Sequence, residues 1–487
     1  MKQNVLVRLF TYQHRYGLGY IIFSILLLGI LTISLNIPGE LTNLEQQSAA
    51  QSATFSFADP TVKSVIDLPY HLLQKASLHF LGVTTFAIKL PSLIIAAFIG
   101  IGIIWLLRRW LLRNSIALFA SIIAITSSQF IIAASTGTAL IMPLFWMVVF
   151  LLFALKISSN HKSLWWWLCI AFVGALSLYT PLSIYLIVSI LLATILHPHL
   201  RHLLRSTPKK HIILASLVVI VIVSPLLFAI VKHPEHLKTL LGWPVTGISF
   251  GTLKFNIIDL IKSYFWFWKP DITAIGATPL FGAASFALII FGALKLAINH
   301  HAARSYGLAL LLPLLIIVVI LQPLFAGILF VPFILLLAIG IEALLDEWYK
   351  LFPHNPYARV VALLPVILLL VSITLGNIGY YMDAYRYSAS LPRFYTRDLD
   401  IMHGILKKYP SATLVTTTHQ QDFFDLLRRD YPKAHISQSI PSHTSKEQPV
   451  IIGTGSGINV NKMNGLLYIA TDQYKDREPR FYVFSNT

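Results

Sequence analysis

The chain has 487 residues, of which 56% are hydrophobic and only 12% are charged, about half the charged share of an average soluble protein. So little charge cannot cover the surface of a water-soluble protein of this length. The composition therefore excludes a soluble enzyme, a disordered chain and a nucleic-acid-binding domain, even though the formal net charge is +17. It predicts a membrane protein, and the single cysteine, Cys169, excludes an intramolecular disulfide.

Hydrophobic runs of about 20 residues predict about eleven membrane-spanning helices. The weakest boundaries are at 179–181 and 322–323, where a proline fits either a tight hairpin or a kink. The predicted spans lie near residues 18–37, 88–107, 115–134, 138–156, 164–180, 181–197, 211–231, 276–297, 305–321, 322–345 and 358–378.

Lys and Arg are concentrated in alternate loops, and the more basic loops of a membrane protein are cytoplasmic. The turns at 135–138, 179–181 and 322–323 contain neither residue type. We therefore expect a multi-pass membrane protein with a cytoplasmic N-terminus and, because the number of spans is odd, an extracytoplasmic C-terminus. The basic loops carry Arg108, Arg109, Arg113, Lys156, Lys162, Arg201, Arg205, Lys209, Lys210, Lys295, Arg304, Lys350 and Arg359.

This topology predicts an all-α polytopic transmembrane domain over 1–378, with outer loops at 38–87 and 232–275, and a small extracytoplasmic α/β domain over 379–487. In the tail, 420–429 is amphipathic and predicts a helix. Strands are expected at 413–418, 450–452, 466–470 and 481–484. The glycine-rich segment 453–457 lacks the spacing and the following helix of a phosphate loop, so we expect a plain loop.

The first outer loop carries acids at the predicted membrane boundary. Residues 39–52 are compatible with an amphipathic surface helix, and Glu40 stands at its start. A partly buried carboxylate in this position can act as a general base. The alternative is a cap that stabilises the N-terminus of the helix.

Four cations in or near this loop are candidates for binding a lipid phosphate: Lys63, His71, Lys75 and Lys89. The stretch 67–82, which includes two of them, is amphipathic and is expected to lie along the outer interface. The alternative for each lysine is that it lies at the membrane interface and extends its ammonium to the lipid headgroups, without binding a substrate.

Aromatic residues cluster in the second outer loop, around Lys269. Sugar rings stack on such side chains, which makes Trp268 and Lys269 candidates for substrate binding. An aromatic belt at the membrane interface has the same composition. The other members of the cluster are Trp243, Tyr264 and Trp266.

Several segments resemble the polytopic GT-C glycosyltransferases, the group of protein O-mannosyltransferases and lipid A aminoarabinose transferases. The resemblance is carried first by Leu68-Pro-Tyr-His-Leu-Leu, by the stretch from His79 to Lys89-Leu-Pro-Ser92, and by a span closed by Trp105-Leu-Leu-Arg-Arg-Trp110. Segments 268–292, 330–340 and 377–385 resemble later parts of the family in the same order.

The resemblance implies an enzyme at the outer face of a bacterial-type plasma (inner) membrane. Such an enzyme takes a sugar from a polyprenyl-phosphate carrier on the outer leaflet. It passes the sugar, with inversion, to a glycan, lipid or protein acceptor. Basic and polar groups would hold the phosphate, and some relatives need a divalent cation. The family's Asp-Glu pair falls on Gly39-Glu40, so the usual Asp is missing. Glu40 is then the expected base, helped by Asp67 or Asp59.

The missing Asp leaves a second function open, an inactive protein of the same fold that binds a lipid carrier or acts as a scaffold. A transporter or flippase is a third class, but the internal repeats and charged mid-membrane helices typical of transporters do not occur in the sequence. The histidines at 197–202 and 300–301 lie among basic residues, which indicates a collar facing lipid headgroups rather than a metal site. No metal site and no certain cofactor is predicted.

Overall fold

The computed structural model describes residues 17–37, 39–55, 65–111, 113–244, 249–267, 271–272, 277–298, 302–351, 356–387, 394–439, 449–460, 465–471 and 479–484. The α-helices in chain order are α1 Gly17–Asn36, α2 Asn43–Thr54, α3 Leu68–Leu81, α4 Thr85–Trp110, α5 Asn114–Thr126, α6 Ser128–Ser135, α7 Met142–Ser159, α8 Leu164–Ser177, α9 Ser183–Leu196, α10 Pro198–Ser206, α11 Lys209–Lys232, α12 Glu235–Leu240, α13 Phe250–Phe265, α14 Ala283–Ile298, α15 Ala303–Leu321, α16 Phe330–Leu351, α17 Pro356–Tyr387, α18 Asp398–Lys408 and α19 Thr418–Phe424. The strands are β1 Leu41–Thr42, β2 Asp271–Ile272, β3 Ala277–Thr278, β4 Tyr395–Thr396, β5 Thr413–Val415, β6 His435–Ser437, β7 Val450–Gly453, β8 Leu466–Thr471 and β9 Pro479–Phe484.

The predicted spans coincide with apolar helices. Within the described residues, seven helices are long and apolar enough to cross a membrane, or up to nine if each of two bent pairs is one span. The bent pairs are α5 with α6, at 56°, and α9 with α10, at 94°. The remaining two predicted spans coincide with the shorter apolar helices α8 and α14. The polytopic helical class is therefore confirmed, whereas the count of eleven stays a prediction.

The loops predicted to be outer meet at one end of the helix bundle. The Gly137 N–H, in the turn after α6, donates to Glu45 Oε1 of the first loop (2.7 Å). The Asp67 N–H, also in the first loop, donates to the carbonyl of Tyr179, in the turn after α8 (2.8 Å). Both contacts lie at the end of α4 that carries Lys89.

The loops predicted to be cytoplasmic meet at the other end of α4, a helix of 26 residues and therefore about 39 Å long. There Arg304 donates to the Trp110 carbonyl. Arg113 pairs with Asp346 at 2.8 Å. Arg113 and Arg304, from two of the basic loops, thus lie at the end of α4 away from Lys89. The membrane topology stays a prediction.

Helices α14 and α16 pack against each other through two glycines. A Cβ atom added to Gly292 would overlap the Leu336 carbonyl oxygen, and one added to Gly340 would overlap that of Leu288. Glycine at both positions lets the two backbones touch, which is a common way to pack helices where both are apolar.

The tail forms a five-stranded sheet of order β6-β5-β7-β9-β8. Strand β5 is parallel to β6 and β7, whereas β9 is antiparallel to β7 and β8. The four strands and the helix that the sequence predicts are present, although the helix ends as a 3-10 turn over Asp425–Arg429. The sequence analysis missed β6 and α18. Segment 453–457 is a loop that contains a 3-10 turn, as expected, and α17 continues to Tyr387, beyond the predicted boundary at 378.

The first outer loop and the tail share one hydrophobic core. Buried side chains of α2 and α3, such as Ala49 and Leu78, pack in the same cluster as Met402 and Phe424 of the tail. Asp430 and Arg429 add polar contacts, since Asp430 Oδ2 accepts from the Val83 N–H (3.3 Å) and Arg429 donates to the Leu78 carbonyl (3.0 Å). The acids of the first loop are therefore positioned by the tail as well as by the membrane helices.

Candidate functional site

Glu40 lies where the first loop leaves α1 and meets the tail. Its side chain is only 5% exposed, and its Oε1 lies 3.1 Å from Nε of Arg397, whose side chain is 40% exposed. A short antiparallel ladder, β1 with β4, brings the two residues together by pairing Leu41 with Thr396 and Thr42 with Tyr395. The result is a buried carboxylate joined to a guanidinium that reaches solvent.

Local sequence explains the position of Glu40. Gly39 has a left-handed conformation (φ +72°), and a Cβ there would lie 2.9 Å from the Asn36 carbonyl oxygen. An aspartate at position 39, as in the family, would therefore be strained in this backbone. The next turn is fixed by a capping box in which the Thr42 side chain accepts from the Glu45 N–H (3.2 Å) and Glu45 Oε2 accepts from the Thr42 N–H (2.7 Å). Glu45 thus has the capping role that was the alternative for Glu40.

Glu45 is also the centre of a buried charged cluster below the capping box. Its Oε1 accepts from the Gly137 N–H and lies 3.9 Å from the Lys89 ammonium. The Lys89 and Glu45 side chains are 0% and 1% exposed, and Lys89 Nζ has no hydrogen-bond partner among the described residues.

A second polar layer joins α2 to α3. Ser52 Oγ contacts His71 Nδ1 at 2.7 Å and donates to Gln74 Oε1 at 2.6 Å. Gln74 in turn donates to the Ile88 and Gly137 carbonyls. Burial lowers the pKa of His71 to about 4, so the imidazole is neutral near pH 7 and offers a hydrogen bond rather than a charge.

Asp67 stands at the N-terminus of α3, away from the capping box. It has a left-handed conformation (φ 57°) and is half-buried, with its Oδ1 atom enclosed, beside the turn that contains Thr180. Burial raises the pKa of its carboxyl to about 7, although a hydrogen bond with Thr180 opposes that shift. The carboxyl therefore titrates near neutral pH, where a group can hold and release a proton.

Of the other predicted site residues, some lie among the residues that the structure describes and some do not. Lys75 donates to the Phe55 carbonyl and ties α3 to the end of α2. Asp59, Lys63, Trp268 and Lys269 lie outside the residues that the structure describes. In the aromatic cluster, the Tyr264 hydroxyl donates to the Ala326 carbonyl (3.1 Å), whereas Trp243 and Trp266 are half exposed.

Sequence analysis missed Arg397 and the central role of Glu45. The Thr42-x-x-Glu45 spacing is a readable capping-box signal. Arg397 has no such signal, because it is separated from Glu40 by most of the chain. Among the described residues, no three His, Cys, Asp or Glu side chains are grouped so as to hold a metal ion, and a metal requirement stays untested.

The overall architecture is that of the GT-C glycosyltransferases. Residues 69–228 match the family model of dolichyl-phosphate-mannose-protein mannosyltransferases. This match, together with the shared fold described below, bears out the resemblance seen in the sequence. No curated protein sequence matches the chain significantly.

Solved structures show the same fold over nearly the whole chain. The crystal structure of ArnT from Cupriavidus metallidurans bound to undecaprenyl phosphate matches with a TM-score of 0.61 and 14% identity, over 97% of this chain and 98% of that one. Its apo form matches with a TM-score of 0.56, 15% identity and the same coverage. The apo oligosaccharyltransferase of Archaeoglobus fulgidus matches with a TM-score of 0.52 and 15% identity, over 87% of this chain and 65% of that one.

Proposed function

We propose that the protein is a membrane glycosyltransferase that moves a sugar from a polyprenyl-phosphate carrier to an acceptor at the outer face of the membrane. The observation that carries this proposal is the buried Glu40 carboxylate paired with the partly exposed Arg397, in a fold shared with a structure that contains undecaprenyl phosphate. Glu40 supplies the base, and the cations near it favour an anionic leaving group.

The reaction breaks the bond between the sugar's anomeric carbon and a phosphate oxygen, and the bonding electrons leave with the phosphate. The acceptor's oxygen or nitrogen attacks that carbon from the opposite face, which inverts its configuration, and its proton passes to Glu40. Arg397 is placed to stabilise negative charge at this edge of the loop. Asp59 and Asp67 are the acids proposed to assist.

Glu40 is favoured over Glu45 as the base because the oxygens of Glu45 are already engaged. Glu45 accepts from the Thr42 N–H, the Thr42 hydroxyl and the Gly137 N–H, and it faces the buried Lys89. Its role is to hold the loop that presents Glu40.

Sugar transfer from labelled polyprenyl-phosphate sugars in proteoliposomes tests the proposal. We expect Glu40→Gln to lower the transfer rate by about 100-fold or more, the size typical of a lost general base. Glu347→Gln, a change of the same chemistry at an exposed residue near the other end of the bundle, should leave the rate unchanged. Equal rates for wild type and Glu40→Gln would exclude Glu40 as the base.

A second candidate function is an inactive protein that binds the lipid carrier. The left-handed backbone at Gly39, in which an aspartate would be strained, favours it. This candidate predicts that wild type binds polyprenyl phosphate but transfers none of the sugars offered. Transfer of any of them by wild type would exclude it.

A further inference from the structure

An open groove lies between α1 and α4, towards the end of the bundle opposite Glu40. Its volume is about 490 Å³. The floor is formed by buried side chains, including Phe23, Leu27 and Ile104, and the rim by exposed ones such as Ile101 and Trp105. Most of this surface is apolar, so the groove suits a hydrocarbon chain.

The charge of the groove is confined to one end. Arg108 is exposed there, and its guanidinium lies 5.4 Å from the centre of the Tyr20 ring. The hydroxyl of Ser24, the other polar side chain near this end, donates to the Tyr20 carbonyl (2.9 Å). Among the residues that the structure describes, no acidic side chain lines the groove. An anion at its mouth would therefore meet Arg108 and, from these residues, no opposing charge.

The length of the groove matches half of a bilayer. Along α4 it runs from Ala97 to Arg108, a rise of about 17 Å at 1.5 Å per residue. The hydrocarbon core of a bilayer is about 30 Å thick, so one leaflet contributes about 15 Å. A single acyl chain of the leaflet on the Arg108 side would fill the groove and place its headgroup beside the guanidinium.

We propose that this groove is a binding site for an anionic glycerophospholipid of the leaflet on the Arg108 side, with the acyl chain between α1 and α4 and the headgroup phosphate on Arg108. The loops at this end carry the excess of Lys and Arg, which makes the leaflet cytoplasmic by the positive-inside rule. The site is separate from the Glu40 cluster, and its occupant is a constituent of the membrane rather than the sugar donor.

Native mass spectrometry of the full chain tests the proposal with phosphatidylglycerol and phosphatidylcholine of equal acyl length as probes. Arg108→Gln should weaken phosphatidylglycerol binding about fivefold and leave phosphatidylcholine binding unchanged. Ala97→Trp should block the apolar end and weaken the binding of both lipids. If Ala97→Trp fails to fold, the result for Arg108→Gln is enough to test the proposal. Arg108 is exposed, so this substitution should not disturb folding.

Two matched controls separate the groove from the general surface. Arg109→Gln removes the same charge one residue further along, and Ile94→Trp introduces the same tryptophan elsewhere on α4; both residues are exposed and outside the groove. Both controls should bind lipid like wild type. Equal losses in Arg109→Gln and Arg108→Gln would overturn the proposal.

Two other molecules could occupy the groove, and the same measurement distinguishes each of them from a glycerophospholipid. If undecaprenyl phosphate displaces phosphatidylglycerol from wild type but not from Ala97→Trp, the groove belongs to the carrier lipid and the proposal is wrong. If phosphatidylglycerol binds only after deletion of residues 2–15, the groove belongs to the chain's own N-terminal segment, and the proposal is again wrong.

Discussion

The Lys89 ammonium and the Glu45 carboxylate lie 3.9 Å apart, and both side chains are enclosed by protein. Glu45 belongs to the first outer loop, whereas Lys89 belongs to the membrane helix α4. A charge that has been removed from water is tolerated only when it has a partner. The pair therefore fixes the position of the loop on the helix, and the loss of either member leaves the other charge uncompensated.

Replacing Lys89 with Met should destabilise the protein by about 3–5 kcal/mol, because the buried Glu45 carboxylate loses its cation. The shift in the unfolding temperature of the detergent-solubilised protein measures this loss. Lys350→Met is the matched control, because Lys350 pairs with Glu347 at 2.6 Å but both side chains are exposed. Lys350→Met should change the unfolding temperature little; similar shifts in the two variants would contradict a special role for the buried pair.

Gly137→Ala should disturb the same cluster from the other side. A Cβ at Gly137 would lie 3.0 Å from both Cγ2 and the carbonyl oxygen of Ile88, and 3.3 Å from Glu45 Oε1. Since the backbone carbonyl cannot move far, the turn must shift and weaken the Gly137–Glu45 hydrogen bond. We expect a lower unfolding temperature and slower sugar transfer.

Gly404→Ala provides the comparison for that substitution. Gly404 lies within α18 and has no neighbour within 4 Å of an added Cβ. Alanine there should stabilise the helix by about 0.5–1 kcal/mol. A Gly137→Ala variant as stable and as active as wild type would show that the turn does not depend on this close contact.

The contact between α14 and α16 should tolerate no side chain. Gly292→Ala would place its Cβ against the Leu336 carbonyl oxygen, so the two helices would have to separate. We expect a marked fall in the yield of folded protein, measured by fluorescence-detected size-exclusion chromatography. Gly307→Ala, in a helix position with open space around it, should be produced like wild type; equal yields of both variants would argue against the observed packing.

The buried carboxyl of Asp67 should make stability depend on pH. Its pKa rises from 3.8 to about 7 in the folded protein because of burial, so the folded state binds more protons than the unfolded state between these values. Stability from this group is therefore lost as the pH rises from about 4 to about 7. Asp67→Asn does not titrate and should escape this loss.

The measurement is the difference in unfolding temperature between Asp67→Asn and wild type across that pH range. The difference should grow in favour of the variant up to about pH 7 and then remain constant. His71, whose lowered pKa acts in the opposite direction, is present in both proteins and cancels. A difference that does not vary with pH would mean that Asp67 has an ordinary pKa.

The sequence predicts the apolar helices well, because hydrophobicity depends on the lipid environment rather than on distant contacts. It predicts helices near α2 and α3 from their amphipathic patterns. It cannot predict the pairing of Glu40 with Arg397, since nothing near either residue indicates that β1 and β4 will pair.

Other misses have local physical causes. The three-residue strand β6 is too short to show an alternating pattern. The capping box of Thr42 and Glu45 is visible in the sequence, but the burial of Lys89 against Glu45 depends on the Gly137 turn, which approaches from a separate helix. A candidate acid can thus be found from sequence, whereas its partners require the fold.

The ladder between β1 and β4 joins residues 355 positions apart in the chain. At a synthesis rate of about 5–20 residues per second, the ribosome needs about 18–70 s to make the intervening segment. During that interval Glu40 has already emerged, but Arg397 does not yet exist. The growing chain therefore cannot form this pair until nearly all of it has been made, and a prematurely terminated product would reach the membrane without the Glu40–Arg397 contact.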